Sequence, residues 1–376
     1  MSLTHAWCNI VPPHILSSIA EKGTARQREL ARRSIEASDR HRAGRRAIVE
    51  GRTAATRVQA VGKSRVVFDG EHRTQLPGRQ RRVEGAPATG DAAVDEAYDG
   101  SGHTYDLYHQ VYSRNSLDGN GLRLDSTVHY GQSYDNAFWN GQQMVYGDGD
   151  EDLPEAERLF NRFTVSLEII GHELTHGVVQ FTAGLAYQDQ PGALNESFAD
   201  VFGVLVKQRR LNQTAAQADW LVGAGLFTRN VRGEAIRSLK APGTAYDDPV
   251  LGKDPQPAHM RDYQNVTHDN GGVHINSGIP NHAFYRTALA MGASAWEKAG
   301  RIWYQTLTHP DLGAVADFQR AASLTFRVAG TLYGDGGPEQ QAVRQGWSAV
   351  GIEVSSQEPS GKKGCLVALA TLGLVH

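Results

Sequence analysis

The stretch IIGHELTHGVVQ, residues 169–180, decides how the rest of the chain is interpreted. Its apolar residues predict a helix, and residues four apart on a helix lie on the same face. His172 and His176 can therefore direct their imidazoles at one point, and Glu173 lies next to the first of them. Two neutral imidazoles are typical zinc ligands, and a neighbouring carboxylate can take a proton from a water on the metal. Because such a pentapeptide also arises by chance, a metal site requires a third ligand.

A candidate third ligand lies in GALNESFADVFGVLV, residues 192–206. Glu196 and Asp200 are four apart at the start of an apolar helix, so they share a face. Glu196 can complete a His, His, Glu set that leaves a fourth tetrahedral position for water. Asp200 then suits the role of accepting a hydrogen bond from the far nitrogen of a ligating histidine. The alternative is that Asn195 and Glu196 only cap a helix, whose first turn favours acidic residues.

The composition indicates a globular protein with enough apolar material for a large core. The chain has 376 residues, 40% of them hydrophobic and 21% charged, which allows two ordinary domains with extensions. The net charge of -3 argues against general nucleic-acid binding, although residues 1–55 hold 10 Lys+Arg against 5 Asp+Glu. A nucleic-acid module within the first 80 residues is the alternative, but the arginines are scattered and lack an aromatic stacking set. Cys8 and Cys365 lie at opposite ends of the chain, so no disulfide framework is predicted.

Neither end of the sequence predicts a membrane segment. The start, MSLTHAWCNIVPPHIL, shows no basic region followed by an apolar one, so no signal peptide is visible. The apolar run CLVALATLGLV near the other end has 11 residues, whereas a membrane span needs about 20. We therefore expect no membrane association.

The residue pattern changes from β-type to α-type along the chain. Residues 14–40 predict one or two short amphipathic helices interrupted near Gly23, and residues 41–60 predict an exposed connector. Short apolar runs from Val66 to about Tyr146, separated by Gly, Asp and Asn, predict strands and hairpins. Helices are predicted at 154–180, 193–210, 278–292, about 294–306, 314–330 and 338–349. GDGDED, residues 147–152, lacks the central Gly and terminal Glu of an EF-hand loop, so it predicts a turn before a helix.

Four motifs together resemble the thermolysin-like (M4) zinc metallopeptidases. They are NAFWNGQQMVYGDGD, HELTH, NESFAD and DNGGVHINSG, in the family's order, and the resemblance runs from about residue 60 to residue 352. The rest of the chain is similar to the protealysin-type branch, whose members carry a short propeptide with a Pro-Pro motif, here CNIVPPHIL. The resemblance implies an α+β, two-lobed fold with the zinc cleft between a β-rich and an α-helical lobe. Its implied parts are a propeptide at 1–55, a β-rich lobe at 56–180 that ends in the zinc helix, an α-helical lobe at 181–353 and a tail of unknown role at 354–376.

The same resemblance implies a catalytic role for HELTH and NESFAD. One catalytic zinc would be held by His172, His176 and Glu196, with Glu173 as the general base. Asp200 would support His172. Such a zinc lowers the pKa of its water to about 7, which brings proton removal within reach of a carboxylate.

Further positions are implied to bind the substrate and the oxyanion. His274, held by Asp269, would stabilise the oxyanion together with Tyr187, and Arg237 would grip the substrate carbonyl beside the primed pocket. Without the resemblance, His274 is equally a loop histidine, Tyr187 a core aromatic residue and Arg237 a solvated charge.

The resemblance also implies that Asn136 and the backbone of Ala137 form the strand edge that binds the substrate peptide. The family preference for an apolar residue on the primed side of the cut bond comes from the resemblance, not from the pocket residues of this chain.

The chain departs from thermolysin where that protein holds a paired calcium site. It keeps Glu168 and Asp219 but has Lys207, Leu221 and Ala224 at the matching positions. A lysine opposes a cation. We expect the double calcium site to be lost, with Lys207 paired to a neighbouring acid. The alternative is a single, weaker calcium site at Glu168 and Asp219.

Cys8 gives a hypothesis about the precursor. A thiolate is a good zinc ligand, while Pro12 and Pro13 fix their φ angles and favour extended residues before them, suited to a cleft. Cys8 would then keep the precursor inactive until cleavage within residues 41–60. The alternative is that Cys8 is a small buried apolar residue.

The sequence therefore predicts a zinc-dependent neutral endopeptidase made as a precursor. Its partners would be peptide and protein substrates and its own propeptide, and we expect a monomer. The alternative is a catalytically silent peptide binder on the same fold, which would need a missing ligand or base, and none is missing. The family is commonly secreted; because no signal peptide is visible, nonclassical export and a cytoplasmic location stay open.

Overall fold

The structure is a computed structural model that describes residues 8–50 and 60–354, with the backbone alone for Cys8 and residues 39–50. The helices are α1 (Pro13–Lys22), α2 (Ala25–Glu50), α3 (Ala92–Asp106, continued by a π-helical turn at Leu107–Val111), α4 (Leu167–Gln180), α5 (Asp189–Leu211), α6 (Asp269–Asn276), α7 (Gly278–Met291), α8 (Lys298–Thr308), α9 (Phe318–Tyr333) and α10 (Pro338–Ala349). The strands are β1 (Cys8–Asn9), β2 (Arg65–Asp69), β3 (Arg79–Val83), β4 (Leu124–Val128), β5 (Ala137–Trp139), β6 (Met144–Tyr146), β7 (Leu221–Val222), β8 (Arg237–Ser238), β9 (Asp247–Asp248) and β10 (Gly252–Lys253).

A mixed six-stranded sheet forms the first half of the molecule. Its strand order is β1-β5-β6-β4-β2-β3, with β2, β4 and β6 parallel to one another and the remaining pairs antiparallel. The strand β1 comes from the N-terminal segment and extends the edge of the sheet at β5. The second half contains α5 to α10, so the α+β class predicted from the sequence is confirmed.

The two N-terminal helices begin and end where the sequence places Pro and Gly. Pro13 occupies the first turn of α1, where its missing N–H costs nothing. The chain breaks at Gly23 and resumes as α2, which confirms the predicted interruption. An exposed connector was predicted over residues 41–60. For residues 41–50 this prediction was wrong, because α2 continues to Glu50. Residues 51–59 lie outside the described part.

The helix α3 was not predicted, since the region between Val66 and Tyr146 was expected to hold only strands and hairpins. Asp91 caps this helix by accepting hydrogen bonds from the N–H groups of Ala93 and Val94. Its two internal glycines lower helix propensity. A side chain at Gly100 would clash with Ile170 of α4, so this glycine permits close packing of α3 on α4.

The helix predicted over 154–180 begins later than expected, at Leu167. Its first residues instead form 3₁₀ turns at Glu155–Glu157 and Phe163–Val165. Asp150 closes the preceding loop, because its carboxylate accepts hydrogen bonds from the N–H groups of Leu159 and Phe160 at 2.7 and 3.1 Å. The turn at 147–152 is present, but no helix follows it directly.

Tight packing of α4 against α5 sets the geometry of the site. A Cβ at Gly171 would lie 3.0 Å from Gly203 Cα, and one at Gly203 would lie 2.5 Å from the carbonyl oxygen of Glu168. The two glycines therefore let the helix backbones approach closely. Apolar side chains of both helices are buried around this contact, and full burial of each contributes about 1.5–3 kcal/mol. Within residues 8–50 and 60–354, no helix is both long and apolar enough to span a bilayer.

Candidate active site

His172 and His176 on α4 meet Glu196 on α5 in the buried centre of the molecule. The two Nε2 atoms are 3.0 Å apart, and each lies 3.5 Å from an oxygen of Glu196. The three donor atoms lie within 4.8 Å of one another, and the side chains are at most 3% exposed. The structure thus brings together the three residues that the sequence singled out as metal ligands.

Hydrogen bonds orient both imidazoles toward this centre. His172 donates its Nδ1–H to Asp200 Oδ1 at 2.8 Å, and His176 donates its Nδ1–H to Asn195 Oδ1 at 2.9 Å. The Nε2 atoms are then left as electron-pair donors. Glu196 Oε2 is buried and has no hydrogen-bond partner among the described residues. The Asn195 contact was not predicted, although Asn195 stands directly before Glu196.

The electrostatics of the three residues fit a divalent cation. Burial lowers the pKa of His176 to about 3, against the opposing charge of Glu196, so this imidazole is neutral. Burial raises the pKa of Glu196, but nearby positive charge, chiefly that of His274, outweighs burial and holds this pKa below its ordinary value. Two imidazole nitrogens and one carboxylate are a typical donor set for zinc.

Glu173 lies beside this cluster and is completely buried. Its Oε2 accepts a hydrogen bond from the backbone N–H of Trp139 at 2.9 Å, whereas Oε1 has no partner in the described part of the chain. Burial, and then the charge of Glu196, raise the pKa of Glu173 well above its ordinary value. The carboxyl group is therefore suited to accept and hold a proton.

Asp200 and Arg237 form a buried ion pair with two hydrogen bonds. Arg237 Nε and Nη2 approach the Asp200 oxygens at 2.9 Å each, and Asn281 donates a further hydrogen bond to Asp200 at 2.9 Å. Burial opposes the charge on Asp200, but Arg237 and then His172 lower its pKa below its ordinary value. Asp200 thus connects His172 with Arg237. The sequence predicted the first contact but not the contact to Arg237.

His274 is held by Asp269 at the edge of the cluster. Its Nδ1–H donates to Asp269 Oδ1 at 2.6 Å, and its backbone N–H donates to Oδ2 at 2.9 Å. Burial favours the neutral ring, but Asp269 and then Glu196 raise the pKa of His274 to about 9. The hydroxyl of Tyr187 donates to Glu196 Oε1 and lies 3.2 Å from His274 Nε2.

The turn before His274 explains the DNGG sequence. Residues 269–272 all have positive φ, between 49° and 82°. This conformation favours Asn and Gly. A side chain at Gly271 would also clash with Asp189.

The N-terminal segment lies across the cluster as a strand. The carbonyl oxygen of Asn9 accepts a hydrogen bond from His274 Nε2 at 3.0 Å. The N–H of Ile10 donates to the carbonyl oxygen of Ala137 at 3.1 Å. Arg237 Nη1 donates to the carbonyl oxygen of Ile10 at 3.1 Å. His274, Ala137 and Arg237, all predicted as substrate-binding or catalytic residues, therefore contact the chain's own first described residues.

The contacts continue to the start of α1. The N–H of Val11 donates to Asn136 Oδ1 at 3.0 Å, and Asn136 Nδ2 donates to the carbonyl oxygen of Val11 at 3.4 Å. Pro12, in extended conformation, then leads into Pro13 at the start of α1. The side chain of Cys8 is outside the described structure, so its zinc-ligand role remains a prediction.

At the positions that match the paired calcium site of thermolysin, the ammonium group of Lys207 contacts the two acidic residues that this chain keeps, Glu168 and Asp219. Lys207 Nζ lies 3.2 Å from Glu168 Oε1 and 2.7 Å from Asp219 Oδ2. Glu168 also accepts a hydrogen bond from the N–H of Ala224 at 2.8 Å. The ion pair expected for Lys207 is present.

The sequence matches two family descriptions that together cover most of the chain. Residues 52–180 match "Thermolysin metallopeptidase, catalytic domain", and residues 183–352 match "Thermolysin metallopeptidase, alpha-helical domain". An extracellular metalloprotease of Pectobacterium carotovorum subsp. carotovorum is 49% identical over 350 residues, which is 93% of this chain and 98% of the relative. Thermolysin of Alicyclobacillus acidocaldarius subsp. acidocaldarius is 38% identical over 301 residues, 77% of this chain and 51% of the relative. Among solved structures, the precursor of protealysin, a metalloproteinase from Serratia proteamaculans, is similar with a TM-score of 0.82 and 48% identity, covering 92% of this chain and 99% of that one.

Proposed function

This chain belongs to the thermolysin (M4) metallopeptidases, on their protealysin-type branch, and from that premise we propose that it is a precursor whose own N-terminal segment blocks the substrate cleft. The family makes it a zinc metalloendopeptidase. The proposal of self-blockage is supported by one observation above all. The backbone of Asn9 and Ile10 forms hydrogen bonds with His274, Ala137 and Arg237 beside the His, His, Glu cluster.

The zinc ligands in this proposal are His172, His176 and Glu196. Zinc bound there supplies a Lewis acid that polarises a carbonyl group and lowers the pKa of water. The remaining steps belong to the protein's own residues.

Glu173 is proposed as the general base. Its buried carboxylate takes a proton from the attacking water and returns it to the leaving amine. His274 donates its Nε2–H to the carbonyl oxygen that becomes negative, as it does to Asn9 here. One such donor contributes about 2.7–4 kcal/mol in other enzymes. Tyr187, whose hydroxyl is 3.2 Å from His274 Nε2, is proposed as the second donor.

Substrate binding is proposed to use the contacts that the N-terminal segment makes. Asn136 and the Ala137 carbonyl provide a strand edge, and Arg237 binds the next carbonyl. Asp200 fixes both Arg237 and the ligand His172. The residue at the position of Ile10 is buried, with 0% exposure, which supports a preference for apolar residues on the primed side.

The propeptide is proposed to span residues 1–55, followed by lobes at 56–180 and 181–353 and a tail at 354–376. Pro12 and Pro13 end the extended segment and start α1, which anchors it. We propose that the paired calcium site is lost, because Lys207 already contacts both Glu168 and Asp219. Secretion is proposed from relatives that are named extracellular metalloproteases.

The test uses the full-length chain and a Glu173→Ala variant. We expect one zinc per chain in both, and casein cleavage that rises in the wild type as the N-terminal segment is lost and is absent from the variant. Zinc without proteolysis under any activation would identify a peptide-binding protein instead. A chain that binds no zinc would contradict the proposed metal site and, with it, the proposed peptidase activity.

A further inference from the structure

We infer that the Asn9–Ile10 peptide bond is itself a substrate of this site, cut within the same molecule as the first step of activation. The inference rests on the proposed function, since it requires a working peptidase. It adds a processing site at the centre of the blocked cleft, well before residues 41–60.

The direction of the segment supports this inference. The carbonyl side of the bond, Asn9, faces the donor His274 Nε2 at 3.0 Å, and His274 Nε2 is 3.5 Å from Glu196 Oε2. The amine side, Ile10, donates its N–H to Ala137 at 3.1 Å. The bond therefore has a hydrogen-bond donor at the oxygen that would gain charge and a fixed position for the leaving nitrogen.

The next bond along the chain is not placed in this way. The carbonyl oxygen of Ile10 accepts its hydrogen bond from Nη1 of Arg237 and not from His274; the other two nitrogens of Arg237 donate to Asp200. A chain held by Val11 on Asn136 would have to shift by one residue to bring the Ile10–Val11 bond to the cluster. That shift would turn the buried Ile10 side chain to the opposite face of the strand.

The position of Glu173 agrees with a cut between Asn9 and Ile10. In the pairing of β1 with β5, Trp139 lies opposite Cys8 and Phe138 lies opposite Asn9. The N–H of Trp139 holds Glu173 Oε2 at 2.9 Å. The proposed base is thus fixed to the strand next to the bond.

The step is an ordinary hydrolysis. A water oxygen bonds to the carbonyl carbon of Asn9, and Glu173 takes the water proton. The bond from that carbon to the nitrogen of Ile10 breaks, and Glu173 returns the proton to the nitrogen. The products are a peptide of residues 1–9 that ends in a carboxylate and a chain that begins with the amine of Ile10.

Cleavage of this bond is an alternative to the role predicted for Cys8, because a thiolate on the metal would exclude the attacking water. The cut would remove Cys8 but would not by itself open the cleft. Downstream residues remain anchored, because Ile10 and Ile15 are fully buried and Ser18 Oγ donates to the carbonyl oxygen of Val250 at 2.8 Å. The new N-terminus would therefore stay in the cleft as a bound product until a second cut releases α1 and α2. Activation would have two ordered steps.

The experiment adds stoichiometric zinc to full-length chain purified with a chelator and follows intact mass and N-terminal sequence. We expect a new chain beginning at Ile10, formed at a rate independent of protein concentration, and no cut in Glu173→Ala. Cleavage only within residues 41–60 overturns the inference and leaves the proposed function standing. A rate that rises with concentration overturns cleavage within one molecule. Bound zinc with neither self-cleavage nor casein cleavage overturns both.

Two variants and a readout without catalysis sharpen the test. Ile10→Asp places a charge in a buried site and should slow the cut at least about tenfold, whereas Ile10→Leu should keep it within about threefold. In the zinc-free Glu173→Ala chain, the amides of Ile10 and Val11 should exchange slowly with deuterium, since both donate to fixed acceptors. Fast exchange at both amides would overturn the placement on which the inference stands.

Discussion

Asp200 and Arg237 are joined by two 2.9 Å hydrogen bonds, and both side chains are at most 1% exposed. The same carboxylate accepts the Nδ1–H of His172. One buried anion therefore supports a proposed metal ligand and a proposed substrate-binding group at once. Any change at Asp200 should alter both functions together.

Asp200→Asn should lower zinc affinity about 10- to 100-fold, because His172 loses its anionic partner. It should also destabilise the fold by about 3–5 kcal/mol, since the charge of Arg237 is left buried without its partner. Zinc affinity is measured by competition with a chelator and stability by denaturant unfolding of the zinc-free chain. Asn281→Ala removes a neutral donor to the same carboxylate and is the matched control, with a smaller effect on zinc. Equal zinc affinity in wild type and Asp200→Asn would contradict the role assigned to Asp200.

Lys207→Ala should destabilise the chain by about 1–3 kcal/mol, because Glu168, which is 2% exposed, loses the ammonium group 3.2 Å away. Lys298→Ala is the control, since the Lys298–Glu339 pair has a lysine side chain that is 56% exposed and such surface pairs contribute little to stability. Unfolding is followed with and without calcium. Wild type should be indifferent to calcium. A rise in its melting temperature on adding calcium would contradict the loss of the calcium site.

The candidate metal site could be located from the sequence because helix geometry places His172 and His176 on one face, and the structure brings both of them to Glu196. Glu196 was proposed as the third ligand from its spacing, but its meeting with the two histidines depends on helices that pack closely at Gly171 and Gly203, and helix periodicity does not predict that packing. The helix α3 was missed because few apolar residues mark its buried face and glycines interrupt its pattern. The hydrogen bonds of Asn9 and Val11 could not be predicted in detail, since their partners lie 265 and 125 residues away.

Asn195 shows what sequence periodicity cannot reveal. A helix-capping role was the alternative for this residue; it lies inside α5 instead, and its Oδ1 accepts the Nδ1–H of His176 at 2.9 Å. Asn195→Ala should lower zinc affinity about tenfold or more, because the imidazole of His176 is no longer held in orientation. Asn195→Asp keeps an acceptor oxygen and should retain most of the affinity. An Asn195→Ala chain that binds zinc as tightly as wild type would return Asn195 to a purely structural role.

His14 should make docking of the N-terminal segment sensitive to acid. Its Nε2 lies 2.8 Å from the Tyr246 hydroxyl, while its buried Nδ1 has no hydrogen-bond partner in the described part of the chain. The groups that face it are Tyr246, Asp269, His274, Arg237 and His268. Burial lowers the pKa of His14 from 6.5 to about 4, with Asp269 opposing the shift and His274, Arg237 and His268 adding to it. A docked pKa below the free value means that docking is strongest above pH 6.5 and weakens as the pH falls from 6.5 toward 4.

We expect the opening free energy of α1, from deuterium exchange corrected for intrinsic rates, to fall by about 2 kcal/mol between pH 7 and 4.5. This decrease in opening free energy should be smaller in His14→Gln than in wild type. It should equal the wild-type decrease in His309→Gln, a control at a histidine whose side chain is 39% exposed. An equal fall in wild type and His14→Gln would assign the acid sensitivity to another group.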